Sequence, residues 1–344
     1  METKLEVSDR AKRLLQESII IDCRDPTFLL YRFTGDDKQG YWESVGKSGI
    51  TAIGVDPAWV DDGLREAAVT FAAWYKRIRE HDAVLVLSVE DLKRAKREGK
   101  VGFILNLQSP TPVENELGFV EILQRMGVRI MQLAYQRRNY LADGVGEKPG
   151  AGLSKLGFDV VAEMNRVGIA IDLAHATEAT MWDALAHSKK PLINSHSGVR
   201  TIVDHRRNMN DELLKSLAKT GGVYCVSAYS AFLKPDGGKL GTTLKDWVAH
   251  VDYLLKLIGP DHVGVGFDVG EMRSPAEAHL LHSRFGETGA PPLHRYVEEL
   301  TCRANFPLLV EALVKQGYPD DVIQKILGKN LLRVFEEIWA GEGK

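Results

Sequence analysis

GIAIDLAH, residues 168–175, is a short apolar run that ends in a histidine. It follows FDVVAEMNRVG (158–168), in which apolar residues recur three and four positions apart, as on one face of a helix. A near-continuous apolar run after an amphipathic helix predicts a parallel strand that is covered on both of its faces. These two neighbouring stretches therefore predict one β-α repeat of an α/β fold.

The same unit recurs along the chain. Eight runs of this kind are SIIIDC (18–23), GITAIGVD (49–56), VGFILNLQ (101–108), VRIMQLAY (128–135), GIAIDLAH (168–175), PLINSHS (191–197), GGVYCVSA (221–228) and HVGVGFD (262–268). Eight strands that alternate with helices predict a single (β/α)8 barrel better than an open sheet. VLVLS (84–88) is a ninth candidate and predicts a short additional strand.

No linker, internal repeat or low-complexity segment divides the chain, so we predict one domain over residues 1–344. METKLEVSDRAKRLLQES at the start is charged and amphipathic and predicts an N-terminal helix. The segment near 271–296, after the eighth run, is unusually long. Loops that follow barrel strands line the active site, so this segment is a candidate lid.

Composition excludes several classes of protein. The 344 residues carry a formal net charge of -3, and no basic excess indicates nucleic-acid binding. No stretch is long and apolar enough to predict a membrane span or a secretory signal. Three cysteines without CxxC spacing do not suggest a disulfide framework. We therefore expect a cytoplasmic protein.

Polar side chains stand at the ends of the predicted strands. In a parallel barrel these ends converge on one mouth, where barrel enzymes place their active sites. The residues concerned are Cys23, Asp25, Gln108, Tyr135, His175, His196 and Asp268.

His175 and His196 end adjacent runs, and neutral imidazole is a common ligand of zinc and similar ions. A polar cap on each strand is the alternative, but two such histidines beside Asp268 favour a metal site. Asp268 lies among glycines that would let a ligand approach the backbone, and its carboxylate suits proton transfer at a metal. Its alternative role is that of a turn residue or helix cap.

Cys23 and Asp25 are two positions apart, so strand alternation places them on one face and Arg24 on the other. Together they could hold a divalent metal. Equally, Cys23 could be a small buried hydrophobe, with Asp25 paired to Arg24 or to a backbone amide. HRRNMND (205–211) carries two arginines suited to a substrate carboxylate. A surface salt bridge is the alternative for that loop.

Longer motifs resemble the membrane dipeptidase (renal dipeptidase) family of the amidohydrolase group. They are GFDVVAEMNRVGIAIDLAH, PLINSHSGVRTIVDHRRNMNDELLKSLAKTGGV, HVGVGFD and GYPDDVIQKILGKNLLRVF. The resemblance implies a metallo-dependent hydrolase barrel, a two-zinc site, a homodimer and dipeptide substrates. It also implies that His175 and His196 bind one metal, that Asp268 handles protons, and that Arg207 contacts the substrate.

Three positions depart from the family pattern. Cys23-Arg24-Asp25 stands where the family has His-x-Asp, Gln108 where it has a bridging Glu, and Tyr135 where it has a substrate-contacting His. Two divalent ions close together repel and need anionic bridges, which a neutral glutamine cannot supply. We therefore predict one zinc ion rather than two, bound by His175 and His196 with help from Asp25. Cys23 and Gln108 are the candidate ligands of a weak or empty first site.

Three functions follow from this reading. The first is a metal-dependent dipeptidase-like hydrolase, in which Tyr135 donates to the developing oxyanion. The second is a hydrolase of a different small amide or cyclic amide. The third is a ligand-binding or non-hydrolytic member that has lost dipeptidase activity.

Overall fold

The computed structural model describes residues 6–27, 39–148, 150–270 and 296–341. Seven of the eight predicted runs contain a β-strand, and the first run, 18–23, overlaps a strand that continues to Asp25. All of the predicted lid except residue 296 lies outside the described residues. The strands are β1 (Ile21–Asp25), β2 (Ala52–Val55), β3 (Val84–Leu85), β4 (Gly102–Leu107), β5 (Val128–Gln132), β6 (Ala170–Asp172), β7 (Ile193–Ser197), β8 (Val223–Val226) and β9 (Val263–Val265).

The strands close into a parallel barrel, which confirms the predicted fold. Neighbours follow the order β1, β2, β4, β5, β6, β7, β8, β9, and the ring closes where Asp22 of β1 pairs with Val265 of β9. β3 lies outside this ring and pairs with the first residues of β4. VLVLS therefore forms the predicted additional strand.

Helices alternate with the strands around the outside, and the predicted N-terminal helix is α1. The α-helices are α1 (Asp9–Glu17), α2 (Gln39–Ser48), α3 (Leu64–Glu80), α4 (Val89–Glu98), α5 (Gly118–Arg125), α6 (Lys155–Val167), α7 (Glu178–His187), α8 (Asp211–Lys219), α9 (Ser230–Leu233), α10 (Leu244–Ile258), α11 (Phe306–Lys315), α12 (Asp320–Gln324) and α13 (Asn330–Trp339). None of the helices in the described ranges is long and apolar enough to cross a membrane.

Local signals in the sequence account for the helix that precedes the GIAIDLAH strand. The Ser154 side chain accepts a hydrogen bond from the Gly157 N–H and so caps the start of α6. Gly168 ends the helix in the left-handed conformation, with φ of 83°, which a residue with a side chain rarely adopts. The chain then enters β6 directly, so the cap and the glycine together set the register of that strand.

Apolar packing closes one end of the barrel and leaves the other for chemistry. Ile21, Ile104 and Ile193 fill the interior of the barrel and are fully buried against Leu331 and Phe335 of α13. Because α13 packs beneath the first residues of the strands, access to the barrel centre is from the opposite end, at the last residues of the strands.

A buried histidine on α10 holds the loop that follows β7. His250 Nδ1 accepts a hydrogen bond from the Val199 N–H at 2.9 Å, and its Nε2–H donates to the Leu233 carbonyl at 3.2 Å. Only neutral imidazole can make both bonds, and burial lowers the pKa of His250 to about 4.

The folded pKa of His250 lies below its ordinary value, so its contribution to stability is complete above about pH 6.5 and is lost as the pH falls towards 4. Gln can accept and donate hydrogen bonds but cannot titrate. We therefore expect the free energy of unfolding of His250→Gln to lose up to about 3 kcal/mol less than that of the wild type as the pH falls from 6.5 to 4. Urea unfolding from pH 7.5 to 4 measures it. His187→Gln, at an exposed histidine of α7, is the control and should keep the wild-type pH dependence; an identical slope in both variants would contradict the assignment.

Candidate active site

A pocket of about 130 Å³ lies at the mouth of the barrel. Four of the seven predicted strand-end residues line it, together with Arg207. An aromatic wall and two further basic residues complete it. The lining residues are Pro26, Gln108, Tyr135, Gln136, His175, His205, Arg206, Arg207, Tyr229, Ala231, Phe232, Asp268 and Tyr296.

His175 and His196 face each other, with their Nε2 atoms 3.1 Å apart. Ser195 Oγ donates a hydrogen bond to Asp172, so the Nδ1–H of His196 donates to Ser195 Oγ at 2.6 Å. This assigns the lone pair of His196 to Nε2. His175 reaches the same point from a turn after β6 in which its φ is 69°, a strained value of the kind that occurs at functional sites.

The two imidazoles have the charge state of metal ligands. Burial and, next, the Arg207 guanidinium lower the pKa of both His175 and His196 well below the usual range, so both are neutral near pH 7. Arg24 acts on both in the same direction.

Two facing Nε2 atoms fit a single divalent ion. Two nitrogen ligands at ordinary zinc distances in a tetrahedral site are separated by about 3.3 Å, close to the 3.1 Å found here. Gln108 Nε2 lies 3.4 Å from His175 Nε2, and its Oε1 has no hydrogen-bond partner among the described residues. Within those residues, no group of three His, Cys, Asp or Glu side chains could hold a metal. The two imidazole nitrogens and the neutral Gln108 amide are therefore the groups at this point that could bind a divalent ion.

The first strand does not present the residues that alternation predicts. A shift in register between Asp22 and Asp25 interrupts the pairing of β1 with β2. Such a bulge turns side chains to the opposite face. Asp25 consequently points away from the mouth, where it accepts hydrogen bonds from Tyr41 and the Thr27 N–H and pairs with Arg303 at 2.9 Å. The structure thus places Asp25 against Tyr41, Thr27 and Arg303, and not in the lining of the pocket where it was predicted.

Cys23 is also absent from the pocket lining. It is fully buried in the barrel interior, where a hydrogen bond with Cys225 and desolvation raise the pKa of its thiol well above the usual range. A neutral thiol is a poor metal ligand. The alternative of a small buried hydrophobe describes Cys23, and Asp25 accepts from a backbone N–H as that alternative allowed, but its ion pair is with Arg303 and not with Arg24.

Arg24, expected on the opposite face, takes the inward position instead. Its guanidinium forms an ion pair with Asp56 and its Nε lies 3.4 Å from Asp268 Oδ1. Sequence reasoning missed both Arg24 and Asp56. Asp56 could have been predicted as a residue of the mouth, because GITAIGVD ends in an acid just as HVGVGFD does. Arg24 could not have been predicted in this way, because nothing in the sequence IDCRD indicates a bulge.

Asp268 is anchored beside Arg24. Its N–H donates to the Arg24 carbonyl at 3.0 Å and its φ is 56°, a second left-handed residue at the mouth. The preceding Gly266 was expected to admit a ligand. A Cβ there would instead overlap the Ser195 carbonyl oxygen, so this glycine lets β7 and β9 approach each other.

Arg207 contacts the strand end that carries His196, and Tyr135 contacts His175. Arg207 donates to Ser197 Oγ at 3.2 Å and to the His196 carbonyl at 3.3 Å, and burial lowers its pKa to about 10. Its guanidinium lies 5.1 Å from the centre of the Phe232 ring. The Tyr135 ring stacks on His175 with centroids 4.1 Å apart. Both side chains therefore border the space next to the candidate metal site.

The link from Asp172 through Ser195 to His196 generates a prediction about metal affinity. Ser195→Ala removes the acceptor of the His196 Nδ1–H, so the ring loses its fixed orientation, and affinity for Zn²⁺ should fall by about 10–100-fold. Competition with a fluorescent chelator measures the dissociation constant. Ser18→Ala, at a buried serine before β1 at the closed end, is the matched control. Equal affinities in both variants would show that this link does not support the metal ligand.

Comparisons of the sequence and the fold with known proteins identify the family of this chain. Residues 45–278 match the family described as "Membrane dipeptidase (Peptidase family M19)". The chain is 32% identical over 251 residues to dipeptidase tcpJ of Claviceps purpurea, covering 72% of this chain and 54% of the relative. The chain thus spans about half the length of that fungal protein.

Two further similarities cover more of the matched proteins. An uncharacterized protein in the pqqA 5' region of Klebsiella pneumoniae is 28% identical, over 74% of this chain and 89% of the relative. A crystal structure of an amidohydrolase from Pseudomonas aeruginosa is 30% identical, with a TM-score of 0.86 over 96% of this chain and 99% of that one. This chain therefore belongs to the membrane dipeptidase family, peptidase family M19.

Proposed function

We propose that this protein is a metal-dependent dipeptidase-like hydrolase that cleaves a dipeptide or a related small amide. One observation carries the proposal, namely that the Nε2 atoms of His175 and the buried His196 face each other 3.1 Å apart, and that His175 lines the same pocket as Asp268 and Arg207. Membership of a metallopeptidase family and the similarity to a fungal dipeptidase support the same reaction.

Five side chains at the mouth of the barrel have chemical roles in this proposal. A divalent ion held by His175 and His196 supplies Lewis acidity towards the scissile carbonyl. Asp268, a partly exposed carboxylate in the pocket, accepts the proton of the attacking water. Arg207 binds the substrate carboxylate through its guanidinium fork, and Tyr135 donates a hydrogen bond to the developing oxyanion.

The size and chemistry of the pocket support a small, anionic substrate. Its volume is about 130 Å³, and Arg206 and Arg207 supply positive charge beside it. Tyr229, Phe232 and Tyr296 form an aromatic wall suited to the side chain of one amino acid. A dipeptide, with one free carboxylate and one scissile amide, meets both requirements.

We further propose that one ion is bound, and that it is zinc. The two-imidazole donor set supports a borderline metal such as zinc, and the neutral Gln108 amide supports a single ion, because it adds no anionic bridge. The cytoplasm is consistent with the free thiols Cys23, Cys225 and Cys302. The family resemblance supports a homodimer, which light scattering with size-exclusion chromatography tests.

The central test is a panel of L-L and L-D dipeptides assayed with added Zn²⁺, Mn²⁺ or Co²⁺. We expect turnover by the wild type and a fall in kcat of about 10²–10⁴-fold for Asp268→Asn, which removes the proton acceptor at constant size. Asp261→Asn, at the opposite end of the same strand, is the matched control and should retain wild-type kcat.

A panel without turnover, on protein that binds the metal, would contradict the dipeptidase proposal. Hydrolysis of cyclic amides under the same conditions would then identify a different amide as the substrate. Absence of hydrolysis in both panels would support a ligand-binding member of the family.

A further inference from the structure

The guanidinium of Arg24 is buried at the centre of the barrel mouth. Its side chain is 2% exposed, and it lies between two carboxylates that end different strands. Its Nη1 pairs with Asp56 after β2, and its Nε lies 3.4 Å from Asp268 after β9. One planar cation thus joins two acids across β1, which separates their strands in the barrel.

The charge of Asp56 depends on this contact. The Asp56 side chain is fully buried, and neither of its oxygens has a hydrogen-bond partner among the described residues, so Arg24 is the cation that compensates it there. A buried carboxylate without a nearby cation is strongly disfavoured. Removal of Arg24 would take away the guanidinium that lies between Asp56 and Asp268 and would leave the buried Asp56 carboxylate without that cation.

Two carboxylates that face one cation-sized space make a binding site for a divalent ion. In this chain that space is filled by a guanidinium, which is always protonated and is covalently fixed.

We propose that Arg24 takes the place of a second metal ion. It is a positioning residue that holds the Asp268 carboxylate towards the pocket, and it excludes a divalent ion from the space between Asp56 and Asp268. The inference rests on the proposed function in one respect, that a single ion is bound by His175 and His196.

The geometry distinguishes arginine from lysine at this position. The guanidinium contacts Asp56 through Nη1 and Asp268 through Nε, two donors on different edges of one plane. A lysine ammonium is a single point on a flexible stem and does not reproduce this fork. Arg24→Lys is therefore expected to retain the positive charge but to lose the orientation of Asp268.

Metal content tests the proposal without reference to any substrate. Protein is saturated with Zn²⁺ or Mn²⁺, freed of excess metal, and analysed by inductively coupled plasma mass spectrometry. We expect about one ion per chain for the wild type and for Arg24→Lys, and about two for Arg24→Ala, in which Asp56 and Asp268 are exposed to a cation. Arg24→Ala with Asp56→Asn should return to one ion, because the second carboxylate is gone.

Two further variants keep the experiment decisive. Arg24→Gln, which is neutral and long enough to hydrogen-bond a carboxylate, replaces Arg24→Ala if the alanine variant does not fold, and it should also gain an ion. Arg129→Ala removes another buried guanidinium, one that donates to the backbone carbonyls of Leu87, Gln124 and Val128. It should lower the melting temperature without changing the metal count.

The proposal is overturned if the wild type already binds two ions, or if neither Arg24→Ala nor Arg24→Gln gains one. A kinetic readout separates positioning from substrate binding, since Arg24→Lys should lower kcat by about 10-fold or more with KM little changed. The metal counts stand independently of turnover. A wild type that cleaves no dipeptide would refute the proposed function, and the ion count of the Arg24 variants would still decide this inference.

Discussion

Closure of the parallel sheet is the constraint on which the rest of this structure depends. A strand at the edge of an open sheet leaves a row of backbone N–H and C=O groups unpaired, and the pairing of β1 with β9 leaves no open edge in the eight-strand ring. Closure sends every strand in the same direction, so the last residues of all eight surround one mouth. Residues that are far apart in sequence, such as Arg24 and Asp268, meet there because the first and last strands of the ring are neighbours.

Electrostatics at that mouth follow from burial. Desolvation favours the neutral form of the imidazoles, and the nearby guanidinium of Arg207 acts in the same sense. The same burial would make unpaired carboxylates unfavourable, and each of the buried acids of β1 and β2 has an arginine close to it. Arg303 is the cation for Asp22 and Asp25 outside the ring, and Arg24 is the cation for Asp56 inside it. Each side of the sheet thus has its own cluster of buried carboxylates and one arginine.

The sequence predicts the barrel well because each buried strand is a short apolar run that can be identified from its own residues. The run GIAIDLAH, its capped helix and the seven similar runs each identify a strand, and strand ends such as His175 and Asp268 identify the mouth. Alternation fails at IDCRD because a bulge is a property of the pairing between β1 and β2, not of either strand alone. The same limit applies to Gly266, whose purpose depends on the Ser195 carbonyl of a neighbouring strand.

The bulge in β1 shows how the end of a strand can present a different side chain while the barrel is preserved. Because of the bulge, the Arg24 side chain enters the mouth in place of the Asp25 side chain. Both side chains remain buried and ion-paired. A buried ion pair adds little net stability, because desolvation offsets most of the attraction, so such a pair is better explained by the arrangement that it enforces. A guanidinium also differs from an ion in one essential respect: it has no vacant position for water. In the proposed one-ion site the chemistry is centred on the two imidazoles, and the neutral Gln108 and the stacked Tyr135 contact His175 there.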